Sequence, residues 1–506
     1  MDCVRLHPLD LHYYKRFVCF PPLLTTCVVN LEPYAEGSRV TVENHKLTVE
    51  PFGLRSALRP GYSRPHRMQP VLRAATGSRF GDELLLKMLL VAVFLPEGLS
   101  FFIGDFRFSP ARAVLIVLCI AATARAFSGA QAPGLVRVPS DVIALIAGIW
   151  MILATAVTEG FVAGFKGGAA TALEFVGAYY VFRHLLGPVD SSVRLVRFSC
   201  KLIIPIVLLA LLDPLTGSLF TYEIIKGLTG YVKVAYENAL ASGAETVFRG
   251  GVVRAMGPLE HSILFGAVCV WLGALALITF PFQLLGWSVA AVALIGVWFS
   301  QARAPLLGYI LACALALYYI GTKHFTARWK VLGLLTATGL IIVFSASGSP
   351  IATLMRLSGL GPEAAWYRQA IWQTGVPVVM NSPVFGIGLS LDWGWQSNGA
   401  LVGESVDAFW LANAMMFGIP GALLIFLTVA GAFWLGPIDR SHYLSLQEKR
   451  LSVALGIVVT TAVFLGFTVH FWGACWILIG ALAGIRAHLA EAAMLRQRAA
   501  RIIELH

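Results

Sequence analysis

About twelve stretches of the chain stay apolar for close to 20 residues each, and this feature limits the fold more than any other. Such a run crosses the roughly 30 Å hydrocarbon core of a bilayer as one helix. Inside lipid every backbone polar group must be satisfied within its own segment, so the runs read as helices. They lie near 84–104, 110–126, 139–157, 168–185, 196–215, 258–280, 284–300, 304–321, 329–347, 406–436, 451–469 and 471–487. The first carries Pro96 and Glu97 and is expected to be broken; the last two are separated by almost nothing near His470. Composition agrees. Of 506 residues, 58% are hydrophobic and 13% charged, against about 45–50% and about 25% in soluble domains. Mean hydropathy is +0.75. The expected fold class is an all-α polytopic membrane protein with about 12 transmembrane helices.

Orientation follows from the basic loops, which stay on the cytoplasmic side. With the N-terminus inside, "RAFSGAQAPGLVR", "RHLLGPVDSSVRLVRFSCK", "TKHFTARWK", "DRSHYLSLQEKR" and the tail "RAHLAEAAMLRQRAAR" all fall there. This gives N-in/C-in. The net charge of +11 then belongs to lipid-facing loops; no basic patch interleaved with aromatics suggests nucleic acid. Residues 1–75 hold no sustained apolar span. Their run "FVCFPPLLTTCVV" is broken by two prolines and lacks the layout of a secretory signal. They read as a poorly ordered cytoplasmic extension, with Met68 an alternative start. The membrane domain covers 80–490 and a basic cytoplasmic tail 491–506. The eight cysteines form no CxxC or zinc spacing. Cys119, Cys200, Cys269, Cys313 and Cys475 lie in apolar runs and read as small buried hydrophobes.

Two long connections, 216–257 and 348–405, and the turn "SQARAP" fall outside, and charge gathers on them. Arg254 precedes Gly257-Pro258, where a span is expected to start. His261 would sit one turn inside, next to Glu260. Arg303 is in the turn. Arg368 and Trp366 lie in "GPEAAWYRQAIWQ", an amphipathic helix opening near Pro362, and Glu404 and Asp407 lie in "ESVDAFWLANAMMFG". Arginines near span ends often snorkel to head groups, but Arg303 runs against the positive-inside bias. Arginine stays charged and grips phosphate oxygens bidentately. Two or three of them suit a diphosphate whose charge grows as it leaves, with a carboxylate or imidazole as base. No DxD pair or His/Asp cluster for a divalent metal is present, so the arginines take its place. No nucleotide loop is present either, and no ATP or other cofactor is expected. Glu174, an intramembrane carboxylate, is a functional candidate on that ground; pairing with Arg183 or with a polar group of another helix is the alternative. The glycines of "GIPGALLIF" and "GALAGIR" are expected to let helices approach closely.

In order and topology, "FRGGVVRAMGPLEHSILFG", "FSQARAPLLGYIL" and "WYRQAIWQTGVPVVMNSPVFGIGLS" followed by "SVDAFWLANAMMFGIPGALL" resemble the O-antigen ligase and polysaccharide polymerase superfamily. "SPVFGIGLS" looks like its Pro-x-x-Gly-x-Gly turn in the long periplasmic loop. The resemblance covers most of 80–490. It implies a GT-C-like fold with short helices on that loop, in the bacterial inner membrane. It also implies metal-independent, inverting glycosyl transfer from an undecaprenyl-diphosphate-linked glycan. Arg254, Arg303 and Arg368 resemble the arginines that hold the diphosphate, and Glu260, Trp366 and Glu404 would contact substrate. A flippase and a chain-length regulator of the same pathway are implied partners. One place departs from the ligase pattern: Val406-Asp407 stands where ligases carry His-Asn. Asp407 or His261 is then the base, which favours a polymerase over a ligase acting on lipid A–core. A transporter of polysaccharide precursors is the rival of another class; it predicts repeat-related broken helices, and no internal repeat is evident.

Overall fold

The computed structural model describes residues 80–104, 106–127, 138–187, 189–347, 353, 362–390, 393–394, 405–434 and 443–504, with four strands in the N-terminal extension. Two units divide the chain, Met1–Leu72 and Arg73–His506. In the first, β1 (Phe17–Val18), β2 (Val28–Asn30), β3 (Ser38–Glu43) and β4 (Lys46–Pro51) pair antiparallel in chain order, with Val40 opposite Val49.

The second unit is helical. It begins with α1 (Phe80–Val93), the short strands β5 (Phe101–Ile103) and β6 (Phe106–Phe108), α2 (Pro110–Phe127), α3 (Pro139–Glu159), α4 (Phe161–Ala172), α5 (Ala178–His184) and α6 (Val189–Thr216). A connection follows with α7 (Phe220–Thr229), α8 (Val234–Ser242) and a hairpin of β7 (Phe248–Arg249) and β8 (Val252–Val253). Then come α9 (Ser262–Thr279), α10 (Leu284–Phe299), α11 (Arg303–Gly321), α12 (Arg328–Ala346), α13 (Pro362–Asn381), α14 (Phe409–Trp434), α15 (Leu446–Leu465) and α16 (Ala474–Glu504).

Among the described residues, eight helices are long and apolar enough to cross a membrane. Two of them show why a bilayer is required. The best window of α9 is 89% buried, and the helix packs on α6, α10, α11 and α15. A helix apolar all round belongs at the centre of a bundle. The window of α12 has a mean hydropathy of 1.7, yet 0% of it is buried. Leu334, Leu335, Ile341, Ile342 and Phe344 all stand open. An apolar surface of that extent is at home only in lipid.

Every predicted span falls on a helical stretch, with instructive differences. Over 84–104 the helix stops at Val93, and Pro96 leads into a short 3-10 turn, Glu97–Leu99, and the β5–β6 pair. Proline has no N–H with which to continue a helix. The span expected to start at Pro258 begins at Ser262 instead, because His261 caps it: its Nδ1 accepts from Ile263 N at 3.1 Å. Between α4 and α5 the chain widens into a π-helical turn, Leu173–Gly177. Glu174 in that turn pairs with Arg112 of α2 at 2.7 Å, so its partner comes from another helix and is not Arg183. Arg183, with its side chain fully buried, clamps Asp141 of α3 at 3.0 Å and also Glu491 of α16. "GALAGIR" behaves as expected: a Cβ on Gly480 would stand 2.2 Å from Phe175 O, and one on Gly484 2.5 Å from Tyr179 O. The 348–405 loop carries a long helix, the 20-residue α13. The Pro383–Gly388 turn after α13 docks on a break in α14 at Gly418, where Ile387 N donates to Met415 O at 2.7 Å and Ile419 N donates to Pro383 O at 2.8 Å. The basic tail continues α16 as helix to Glu504.

Candidate active site

One end of the bundle gathers the ends of α9, α10, α11, α13, α14, α15 and α16, and the polar side chains meet there. The β7–β8 hairpin turns on Gly250 and Gly251, with φ of 57° and 78°, the left-handed pair that a tight two-residue hairpin needs. The chain then runs straight into Arg254, whose N–H donates to Val247 O at 2.8 Å. The Arg254 side chain turns inward and is 4% exposed. Its Nε donates to Ser300 O at 3.1 Å and its Nη1 to Glu245 O at 3.1 Å, while no bond among the described residues engages Nη2. Burial first, then the neighbouring Arg249, pushes its pKa down to about 10, so it remains a cation at neutral pH.

The acceptor of that bond belongs to a strained turn. Gln301 has φ of 50°, and no other described residue apart from glycines has a positive φ. Arg249 Nη1 holds its carbonyl. Strain of this kind persists where surrounding structure enforces it. Arg303, exposed, is the first residue of α11. A cation there opposes the helix dipole, whereas an anion bound there is favoured by the dipole and the guanidinium together.

Arg368 projects from α13 and its Nε donates to Thr468 O at 3.1 Å; one turn on, Trp372 Nε1 donates to Phe467 O at 3.1 Å. Asp407 lies just before α14, and Ser405 Oγ donates to its Oδ1 at 3.0 Å. Burial raises the Asp407 pKa above the ordinary aspartate value, while Ser405, Arg368 and Arg254 pull the other way. Arg368 in turn is depressed by burial and feels Asp407, Arg249 and Arg303. Asp407 thus lies within electrostatic reach of Arg254 and Arg368, and Arg368 within reach of Arg303.

His261 faces the same group. Burial, then Arg254 and Lys233, hold its pKa down to about 4, so the ring is neutral. With Nδ1 occupied by Ile263 N–H, the proton sits on Nε2, which makes His261 a donor. Glu260 points elsewhere. Its carboxylate accepts from Trp472 and is raised to about 7 by burial and by Glu97, with Lys233 opposing. It lines a cavity of about 30 Å³ together with Glu97, Lys233 and Tyr236. Trp366 is 52% exposed and lies about 200° around α13 from Arg368, so the two do not share a face. Glu404 lies outside the described residues.

The predicted Arg254, Arg303, Arg368, Asp407 and His261 therefore converge, while Glu260 and Trp366 stand apart from the arginines. Arg249 joins the group; its signal was present in "FRGGVVR", beside Arg254. The Gly466–Gly473 link between α15 and α16 ties the two sides together, and nothing local marks it in the sequence. Val469 O accepts from Phe409 N at 3.0 Å, Thr468 O from Arg368, and Trp472 packs edge-on to His261 at 6.0 Å between ring centres. Among the described residues no three His, Cys, Asp or Glu side chains converge as a metal site. Two guanidiniums, Arg254 and Arg368, in reach of one carboxylate, with Arg249 and Arg303 in reach of Arg368, suit a polyanion bearing a reacting group. No family model matches the sequence, and no curated protein matches it.

Proposed function

We propose that the chain is a bacterial polysaccharide polymerase of the O-antigen ligase and polymerase type. In this reading it has about twelve transmembrane helices in a GT-C-like arrangement, N-in/C-in in the inner membrane. The site end then faces the periplasm. The observation that carries the reading is the gathering of Arg254 and Arg368 around Asp407, with Arg303 in reach of Arg368.

The donor is an oligosaccharide repeat unit on undecaprenyl diphosphate, and the acceptor is a sugar hydroxyl of another lipid-linked unit. The acceptor oxygen attacks the anomeric carbon, and the bond from that carbon to the diphosphate oxygen breaks on the opposite face. The configuration inverts. The lipid diphosphate leaves with the bonding electrons, its added charge held by the three arginines where it develops. Asp407 takes the proton of the attacking hydroxyl. The burial that raises its pKa makes it a stronger base than an exposed aspartate. His261, whose Nδ1 is committed to the helix cap, donates from Nε2 to a substrate oxygen. The Asp407 assignment also favours polymerisation over transfer to lipid A–core, where the corresponding place holds His-Asn.

The test is release of undecaprenyl diphosphate from a lipid-linked oligosaccharide by the purified protein in lipid. Release accompanied by a new glycosidic bond, and lost in Arg303→Ala and Asp407→Asn, is expected. Full release in Arg303→Ala would remove the core of the mechanism.

A further inference from the structure

We propose that Asp213 is a positioning residue for this site: from within α6 its carboxylate holds the chain carrying Arg254 and His261 in register with the donor diphosphate. The proposal rests on the reading above. Asp213 lies one turn before the end of α6 and is 1% exposed. Its Oδ2 accepts from Met256 N at 2.9 Å and from Gly257 N at 2.8 Å, and its Oδ1 accepts from Phe220 N at 2.9 Å. Phe220 opens α7, and Met256 and Gly257 belong to the run between β8 and α9. One carboxylate thus satisfies three backbone donors from two connections that have no ladder or helix to pair them.

Only an acceptor-only group does this. A carboxylate offers two oxygens and about four lone-pair positions, whereas an amide turns an NH₂ toward one set of donors. A buried ionised group is expensive unless its bonds are made, so a filler at this place would be apolar. The same loop is pressed onto α6 at a second point. Gly257 has φ of 54°, and a Cβ there would stand 2.9 Å from Ala210 Cβ, one turn before Asp213. Arg254 lies just upstream of the anchored pair, with Ala255 N donating to Phe299 O at 3.0 Å. His261 lies just downstream. Both ends of the functional run are therefore set by the anchor between them. Misplacement of a gripping group by about 1 Å costs on the order of 10²-fold in turnover.

The test measures binding of undecaprenyl diphosphate and of undecaprenyl monophosphate to the full chain in lipid nanodiscs. The chains compared are the wild type, Asp213→Asn, Asp213→Glu and Arg303→Ala. Correctly spaced arginines prefer the diphosphate. Asp213→Asn is expected to lower the diphosphate-to-monophosphate affinity ratio about tenfold or more, with Asp213→Glu recovering much of it. A loss of folded protein alone would lower both affinities together and leave the ratio unchanged. Should Asp213→Asn not fold, Gly257→Ala carries the test. It lifts the loop from Ala210 with the carboxylate intact, and the same fall in the ratio is expected. A wild-type ratio in the folded variants would overturn the positioning role. If the wild type shows no preference for diphosphate that Arg303→Ala abolishes, the reading of the site itself fails, and the positioning role with it.

Discussion

Replacing Arg254 and Arg303 by alanine, one at a time, separates holding the site together from acting on substrate. Arg254 is 4% exposed and gives Nε and Nη1 to the carbonyls of Ser300 and Glu245. Bonds from a charged donor contribute about 1.5–3 kcal/mol each, so the pair contributes about 3–6 kcal/mol. Burial of the charge opposes this. A guanidinium whose pKa falls from 12.5 to about 10 is disfavoured by about 3 kcal/mol. The balance favours Arg254 by about 0–3 kcal/mol. Arg303 is exposed at the N-terminus of α11, where alanine also removes a clash with the dipole, so its replacement costs less stability than that of a buried arginine. Turnover should behave differently. On the proposed function, each loss removes one donor to the developing diphosphate charge and is expected to lower kcat by about 10²–10³. The assay pairs thermal melting in nanodiscs with turnover of a lipid-linked oligosaccharide. The apparent melting temperature is expected to fall at least as far in Arg254→Ala as in Arg303→Ala, with turnover falling in both. Greater destabilisation by Arg303→Ala than by Arg254→Ala, or Arg254→Ala turning over within about threefold of wild type, a small part of the expected loss, would refute the reasoning.

Asp407, raised above the ordinary value of 3.8 by burial, must be ionised to act. Activity should therefore fall with decreasing pH through a pKa above 3.8, and Asp407→Asn should be inactive at every pH. His261→Asn keeps a helix-capping group, so the acid limb of its pH profile of kcat should be that of wild type; a shifted limb would return the base role to His261. Glu260, raised from 4.5 to about 7, is neutral in the folded protein at pH values where the unfolded chain has ionised. The unfolded state then binds fewer protons, so stability declines as pH rises from about 4.5 to 7. Glu260→Gln should flatten that decline, gaining up to about 3 kcal/mol at pH 8, read as the difference in apparent melting temperature between pH 5 and pH 8. Arg183→Met leaves the half-buried Asp141 and the buried Glu491 without the Arg183 guanidinium. It should destabilise the bundle by about 3–5 kcal/mol, with Arg183→Met/Glu491→Gln recovering part of it in the same melting assay.

The helices were legible because a 20-residue apolar run is a strong signal. The convergence of Arg254, Arg303, Arg368, Asp407 and His261 was legible for a simpler reason: alternate span ends must share a side, and four of them lie at or near such ends, with Arg368 in the long connection on that side. What escaped depends on pairing across long separations. Arg368 bonds to Thr468, 100 residues away, and no local pattern makes "GFTVHFWG" more than a short connector. Asp213 reads as the last polar residue of a span until its three backbone partners are in view. The late start of α9 came from capping by His261, a residue less often found in that place than Ser, Thr, Asp or Asn. Pro96, by contrast, announced the broken first span from sequence alone.

The central claim is that this cluster grips a leaving lipid diphosphate while one glycan is joined to another. The most direct measurement supplies the purified protein, in lipid, with an undecaprenyl-diphosphate-linked oligosaccharide as the sole substrate and resolves the products by size. A ladder of repeat units that disappears in Arg303→Ala is the predicted result. Absence of a ladder, with transfer appearing only when lipid A–core is added, would contradict polymerisation; absence of any new glycosidic bond with either acceptor would contradict glycosyl transfer.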